Sequence, residues 1–325
     1  MHDPHETGER LGKFRKNQES ESFFEHLNAY LANFKVNGIE ITEREISQLP
    51  VIYIVGVPRS GTTLLSQLLS KYLNVAYIDN ITAKFWMNPV VGMKLSESLQ
   101  NNEENQFTLK SIHGVTRDVF GPHEFGYFWR YWFLLDDAVS HKLSVEELSK
   151  LDINGFRQQL YEMLAVKKLP LIFKNVICGF QAEWLTSAHQ NSIFLYIKRD
   201  IREVCSSILK ARHDRYGDYS NWWSLRPPTV DEILRIKDPV EQVVRQVTDC
   251  SIEFDKELNK QHINSIEIEY NELCNNPSRV LSEIINEIST TYGVLGVADN
   301  IEALVPSKGP VLPSYLEESL SKVLS

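Results

Sequence analysis

Residues 51–65 read VIYIVGVPRSGTTLL. An apolar run of strand length ends at Gly56. A turn carrying Arg59, Ser60 and Gly61 follows, and Leu64, Leu65, Leu68, Leu69 and Tyr72 then fall on one helical face. The spacing from Gly56 to Thr63 is that of a phosphate-binding P-loop, G-x-x-x-x-G-K-S/T, with Thr62 where the lysine belongs. The cation of the loop is Arg59. A P-loop lysine serves the β- and γ-phosphates of a nucleoside triphosphate. This loop is therefore expected to hold a phosphate in some other way, for a donor other than ATP or GTP used in the usual manner. The amides from Ser60 to Leu64 sit at a helix N-terminus, where unpaired donors and the macrodipole favour an anion. Ser60, Thr62 and Thr63 add hydroxyls, Gly61 allows close approach of the backbone, and Arg59 can fork onto two oxygens. A glycine turn that binds nothing is the plain alternative.

Working outward, Val75 to Ile78 is a short second strand, which completes a strand–loop–helix–strand unit of a parallel sheet. Leu171 to Lys174 is a strand followed by a helix at Ala182 to His189. Ile193 to Lys198 is a buried strand that runs into a helix carrying Val204, Cys205, Ile208 and Leu209. Ile266, Ile268 and Tyr270 alternate as a strand. Asn276-Pro277 then opens a helix with Val280, Leu281, Ile284, Ile285 and Ile288 on its apolar stripe. Residues 1–48 read as a lead-in whose helical stripe of Phe23, Phe24, Leu27, Tyr30, Leu31 and Phe34 packs on the core, and residues 49–325 as one domain. Polar Glu97–Gln106 reads as a surface loop. The expected fold class is α/β: one domain with a central, mainly parallel sheet flanked by helices, of the P-loop NTPase type.

Composition narrows the function. The 325 residues are 42% apolar and 24% charged, as in ordinary globular proteins. A formal charge of −9 and a pI near 5.6 argue against nucleic acid or a broad polyanion as partner. The start shows no signal-peptide pattern and no apolar run reaches membrane-spanning length, so no integral membrane segment is expected. Cys178, Cys205, Cys250 and Cys274 are widely spaced, which reads as reduced thiols in a cytoplasmic protein.

A second motif lies in residues 193–210, IFLYIKRDIREVCSSILK. Arg199 stands at the carboxyl end of a parallel strand, where open α/β sheets bind ligands. Ser207 follows eight residues later. Arg199 and a serine hydroxyl can hold a second phosphate. Alone, the segment is equally a helix start, with Asp200 as N-cap and Arg199 a surface charge.

Together, PRSGTTLL after a strand and the strand followed by RDIREVCSSIL resemble the sulfotransferases that use 3′-phosphoadenosine 5′-phosphosulfate. The resemblance implies that the first loop binds the 5′-phosphosulfate and that Arg199 with Ser207 binds the 3′-phosphate. It explains Thr62, since this donor has no γ-phosphate, and it implies transfer without a metal. The arginine form of the loop is closer to the bacterial, carbohydrate and tyrosyl-protein branches. IEIEYNELCNNPSRVL resembles the family's strand–YEDL–x–x–P–helix element, departing at Asn271 and Glu272, and places Tyr270 near the nucleotide. VPSKGP could bring Ser307 and Lys308 to the 3′-phosphate or the adenosine, or be a solvated loop.

For mechanism, Arg59 is assigned to the leaving 5′-phosphate. Relatives carry a basic histidine in a K-T-H-like segment, whereas LIFKNVICG has Lys174 and Asn175. The base then falls to Glu124 or His123 of GPHEFGYFWRYWF. Lys174 contacts the sulfonate or acceptor, or forms a strand-end ion pair. The aromatic run Phe125, Tyr127, Phe128, Trp129, Tyr131, Trp132, Phe133 turns one face to the core and offers the other to an acceptor. Asn221, Trp222 and Trp223 form a lid or a packed cover, and Arg212, His213 and Arg215 a solvated helix end. The acceptor is a small molecule, glycan or lipid hydroxyl. The competing readings are a degenerate P-loop kinase and a nucleotide-binding scaffold without chemistry.

Overall fold

The structure, a computed structural model, describes residues 7–37, 42–100, 107–109, 116, 118–292 and 301–325. Residues 1–6 of the lead-in and 101–106 of the polar segment lie outside them.

Five strands form one sheet: β1 (Val51–Val55), β2 (Ala76–Tyr77), β3 (Leu171–Lys174), β4 (Ser192–Lys198) and β5 (Asn264–Glu269). Their order is β2-β3-β1-β4-β5, and every pairing is parallel. Parallel strands need helical crossovers on both faces, so the inner strands are buried on both sides. All five residues of β1 are buried. Its alternation sorts the core into two layers. Ile52 and Ile54 face Leu65, Leu68 and Leu69 of the loop helix (Thr62–Tyr72), together with Leu281, Ile284 and Ile288 of the helix Pro277–Tyr292. Val51, Tyr53 and Val55 face an aromatic layer. There Tyr53 stacks between Phe173 and Phe194 at 5.8 and 5.0 Å, and Trp129 meets it edge-on at 6.2 Å.

The aromatic run is mainly core. In the helix Gly126–Trp132 and its flanks, Phe125, Phe128, Trp129 and Phe133 are buried, and Tyr131 alone of the run is classed as exposed. Trp222 is also buried, over Val230 and Ile233, as a packed cover.

Several readings of the sequence need correcting. Tyr270 is not the end of a strand but the first residue of a short helix, Tyr270–Asn275. Glu97 to Leu99 close the helix Pro89–Leu99 and are not loop. The helix Gln18–Leu31 leaves Phe23 and Tyr30 exposed, with Phe34 exposed beyond its end. It is held by Phe24 and by buried Asn28. The Asn28 amide donates to the carbonyls of Phe24 and Lys84, and its oxygen accepts from the Met87 amide. Arg212 and Arg215 do not form a solvated helix end. Both are buried: Arg212 donates to Gln242 and Gln246, and Arg215 lies between the rings of Phe14 and Trp223 at 4.8 and 5.2 Å. The burying surface includes the N-terminal segment, whose Leu11 amide bonds the Arg215 carbonyl at 2.6 Å. All four cysteines are buried and unbridged. No helix among the described residues is long and apolar enough to cross a membrane.

Candidate active site

The candidate residues collect at the carboxyl ends of three neighbouring strands. The glycine loop leaves β1, Lys174 ends β3, and Arg199 follows β4. This is the crevice side of a parallel sheet, where the connections from the central strand diverge.

The loop is tightly constrained. Gly56 and Gly61 have φ of +156° and +111°, and Arg59 itself sits at +73°. A Cβ on Gly56 would stand 2.6 Å from both the Ile197 carbonyl oxygen and Ser60 Oγ. One on Gly61 would stand 2.4 Å from the Tyr270 ring. The first intrahelical bond runs from the Leu65 amide to the Gly61 carbonyl, so the amides of Thr62, Thr63 and Leu64 point out of the helix end. Ser60 is fully buried, and its Oγ has no hydrogen-bond partner among the described residues. An orphaned buried hydroxyl inside a turn of outward amides is what an oxyanion would complete.

Arg59 and Arg199 are joined through the loop. Arg59 Nε donates to Ser207 Oγ at 2.8 Å, while Arg199 Nη1 donates to the Arg59 carbonyl at 3.0 Å. Ser207 therefore meets Arg59, where the sequence had paired it with Arg199. Burial lowers the pKa of the Arg59 guanidinium, and the like charge of Arg199 adds to this, opposed by Glu124. Arg199 lies over the Tyr270 ring at 4.3 Å. It also bonds the Ser307 carbonyl and the Glu203 carboxylate. The Tyr270 hydroxyl accepts from the Ser307 amide at 3.0 Å, which ties the C-terminal loop across this end of the site. Lys308 is exposed beside it.

On the β3 side, Lys174 Nζ donates to Glu124 Oε1. The Lys174 side chain is almost fully buried, whereas the Glu124 side chain is 49% exposed. Enclosure pushes the Glu124 carboxyl up, and the Lys174 ammonium more than cancels this, holding it below the ordinary value of 4.5. Burial pulls Lys174 down while Glu124 pulls it back. Asn175 Nδ2 donates to the Glu124 carbonyl at 2.9 Å, and Phe125 takes a φ of +56° to turn the chain into its helix. Neighbouring His123 is committed elsewhere. Its Nδ1 accepts from the Phe125 amide at 2.8 Å, and burial draws its pKa down to about 4. A neutral imidazole with Nδ1 occupied as acceptor carries its proton on Nε2, so neither nitrogen offers a lone pair to the cleft.

Two residues missed by the sequence reading belong to this site. Glu203 occupies one edge of the Arg199 fork. Arg215 lies close enough for its charge to lower the pKa of both Glu124 and Arg59. Glu203 carried a signal, since it lies four residues after Arg199 on a helix start; Arg215 carried none.

Comparison with solved structures finds a sulfotransferase of Mycobacterium avium at 13% identity and TM-score 0.48, covering 84% of this chain and 71% of its own. A sulfotransferase of Alicyclobacillus acidocaldarius matches at 15% identity and TM-score 0.41, over 84% and 90%. A search of curated proteins gives no match. The sulfotransferase family model matches residues 50–292, a span that holds the glycine loop, Glu124, Lys174, Arg199, Ser207 and Tyr270. With three quarters of its length inside that family's pattern, the chain belongs to the sulfotransferase family.

Proposed function

We propose that the protein transfers the sulfonate of 3′-phosphoadenosine 5′-phosphosulfate to the hydroxyl of a small molecule, glycan or lipid, in one in-line displacement. The observation that carries this reading is the junction of two arginines at the carboxyl end of the sheet. The Arg59 loop and the Arg199 fork share the Arg59 backbone, as a ligand with a 5′-phosphosulfate and a 3′-phosphate on one ribose requires.

The loop amides, Ser60, Thr62, Thr63 and Arg59 hold the 5′ end. Arg199 holds the 3′-phosphate, with Tyr270 and Ser307 framing it. Glu124 is the general base. It takes the acceptor's hydroxyl proton as that oxygen bonds to sulfur, and the sulfur–oxygen bond to the 5′-phosphate breaks with its electron pair passing to the phosphate. Arg59 and buried Lys174 stabilise the charge that develops there. The Lys174 ion pair keeps Glu124 ionised, and the committed Nδ1 of His123 favours Glu124 over it as base. The role of Lys174 is thereby dual: it orients the base and adds positive field beside the sulfonate.

Thermal shift tests the reading. Adenosine 3′,5′-bisphosphate without Mg²⁺ should raise the melting temperature, and at a hundred times its Kd the gain is about 2.7 kcal/mol. A larger shift with ATP–Mg²⁺ than with the bisphosphate would instead support the kinase reading and overturn this one.

A further inference from the structure

The first turn of the helix Ile201–Tyr216 contains an incomplete cap. Asp200 is its N-cap, accepting from the Glu203 amide at 3.0 Å. With Glu203 at the third helical position, Asp200 to Glu203 has the spacing of a capping box, in which the carboxylate reaches back to the N-cap amide. The same chain closes that box twice, at Thr42/Glu45 and at Ser144/Glu147, where the cap hydroxyl also donates to the glutamate; at Asp200 the backbone amide alone would hold it. At Asp200 only the first half is made. The Glu203 carboxylate turns to Arg199, with one oxygen 2.9 Å from both Nε and Nη2. That edge of the guanidinium is a bidentate face for a phosphate.

The rest of Arg199 is fixed. Its Nη1 is on the Arg59 carbonyl, its plane lies on Tyr270, and Nη2 also reaches the Ser307 carbonyl. The C-terminal loop closes the far side: a Cβ on Gly309 would stand 3.1 Å from Glu203 Cα. The guanidinium is thus held in place while the group on its Nε/Nη2 edge is an exchangeable side chain. That side chain is 27% exposed, against 6% for Arg199.

We infer that Glu203 holds the place of the donor's 3′-phosphate on Arg199 and moves to the Asp200 amide, closing the capping box, when that phosphate arrives. The inference rests on the donor reading above and adds a residue that sets how strongly the 3′-phosphate is recognised. Exchange of one anion for another keeps the buried arginine neutralised in both states, and the cap bond offsets the ion pair that is given up. A second carboxylate left beside the phosphate would repel it, so the charge on Glu203 limits the affinity gained from the 3′ group.

The test is calorimetric titration of the full chain with adenosine 3′,5′-bisphosphate and, separately, adenosine 5′-monophosphate. The ratio of the two Kd values reads the 3′-phosphate alone. Glu203→Gln removes the charge and keeps the shape, and it should widen that ratio by roughly fivefold, the upper end for a partly exposed ion pair, while monophosphate binding shifts by no more than about twofold. Glu203→Ala should act in the same direction and guards against misfolding of the first variant. A ratio that stays the same or narrows in both variants overturns the exchange. Failure of the unaltered protein to bind the bisphosphate overturns the donor reading itself.

Discussion

Replacing Gly61 by alanine perturbs the site at its most crowded point. The residue has a φ of +111°, outside the left-handed region that alanine can reach, and a Cβ would meet Tyr270 Cδ2 at 2.4 Å, Cε2 at 2.9 Å and Ile197 Cδ1 at 3.2 Å. The ring cannot simply turn away. It is 5% exposed, carries Arg199 on its face at 4.3 Å, and accepts the Ser307 amide at 3.0 Å. Backbone strain of this type costs about 1–3 kcal/mol. Displacing the ring adds about 1 kcal/mol for the hydrogen bond and about 0.5–2 kcal/mol for the cation–π contact. The sum, about 2.5–6 kcal/mol, corresponds to a fall in melting temperature of about 4–9 °C for a chain of this size. Loosening of Arg199 from Tyr270 should weaken adenosine 3′,5′-bisphosphate roughly tenfold or more. Differential scanning calorimetry and titration read the two effects separately. A variant that melts within about 2 °C of the original and binds the bisphosphate equally well would refute the argument that Tyr270 is wedged between the loop and Arg199.

Three further outcomes follow from the other end of the site. Gly126, at the start of the aromatic helix, has nothing within 4 Å of an added Cβ and no positive φ, so Gly126→Ala should stabilise by about 0.4–1 kcal/mol; a lower melting temperature would show a constraint on that turn. Glu124→Gln should lower kcat/KM by about 10²–10⁴ with bisphosphate affinity retained, and more than a tenth of the original activity would remove Glu124 from the role of base. The pH dependence has a definite sign. Lys174 holds the Glu124 pKa below 4.5, so both its stabilising effect and its ionised state are present above pH 4.5 and are lost as pH falls through the folded value. A pH–rate profile should accordingly stay level from neutrality down to about pH 4.5 on its acid side.

The strands and the loop were legible because their signals are local. β1 and β4 are unbroken apolar runs, as strands buried on both faces must be, and Gly56 and Gly61 mark backbone positions that side chains would obstruct. Arg199 was legible from its position at a strand end. Partnerships across the chain were not. Ser207 sits on Arg59 instead of Arg199, because the loop arches toward the helix that carries the serine. Arg212 and Arg215 looked solvated in a polar run, yet that run is buried in part by a segment some two hundred residues earlier in the chain. Tyr270 continued the β5 alternation in sequence but turned into a helix whose first residue packs on Gly61.

Glu203 shows why such residues escape local reading, and how they can be recovered. Thr42, Ser144 and Asp200 each stand three residues before a glutamate, so by spacing the three starts are alike, although Asp200 lacks the hydroxyl with which Thr42 and Ser144 donate to their glutamates. The cap residue and the tertiary neighbour together distinguish them. The first two glutamates close on their own helix, while the third turns to Arg199. An ion pair on a helix N-terminus that forgoes an available cap bond gives up a local interaction worth about 1 kcal/mol. Its arginine must then be one whose charge the fold cannot leave unanswered. Arg199, its side chain buried, stacked and held on three sides, is such a group, and in the exchange proposed above the half-made cap beside it is where the donor's 3′-phosphate would displace the protein's own carboxylate.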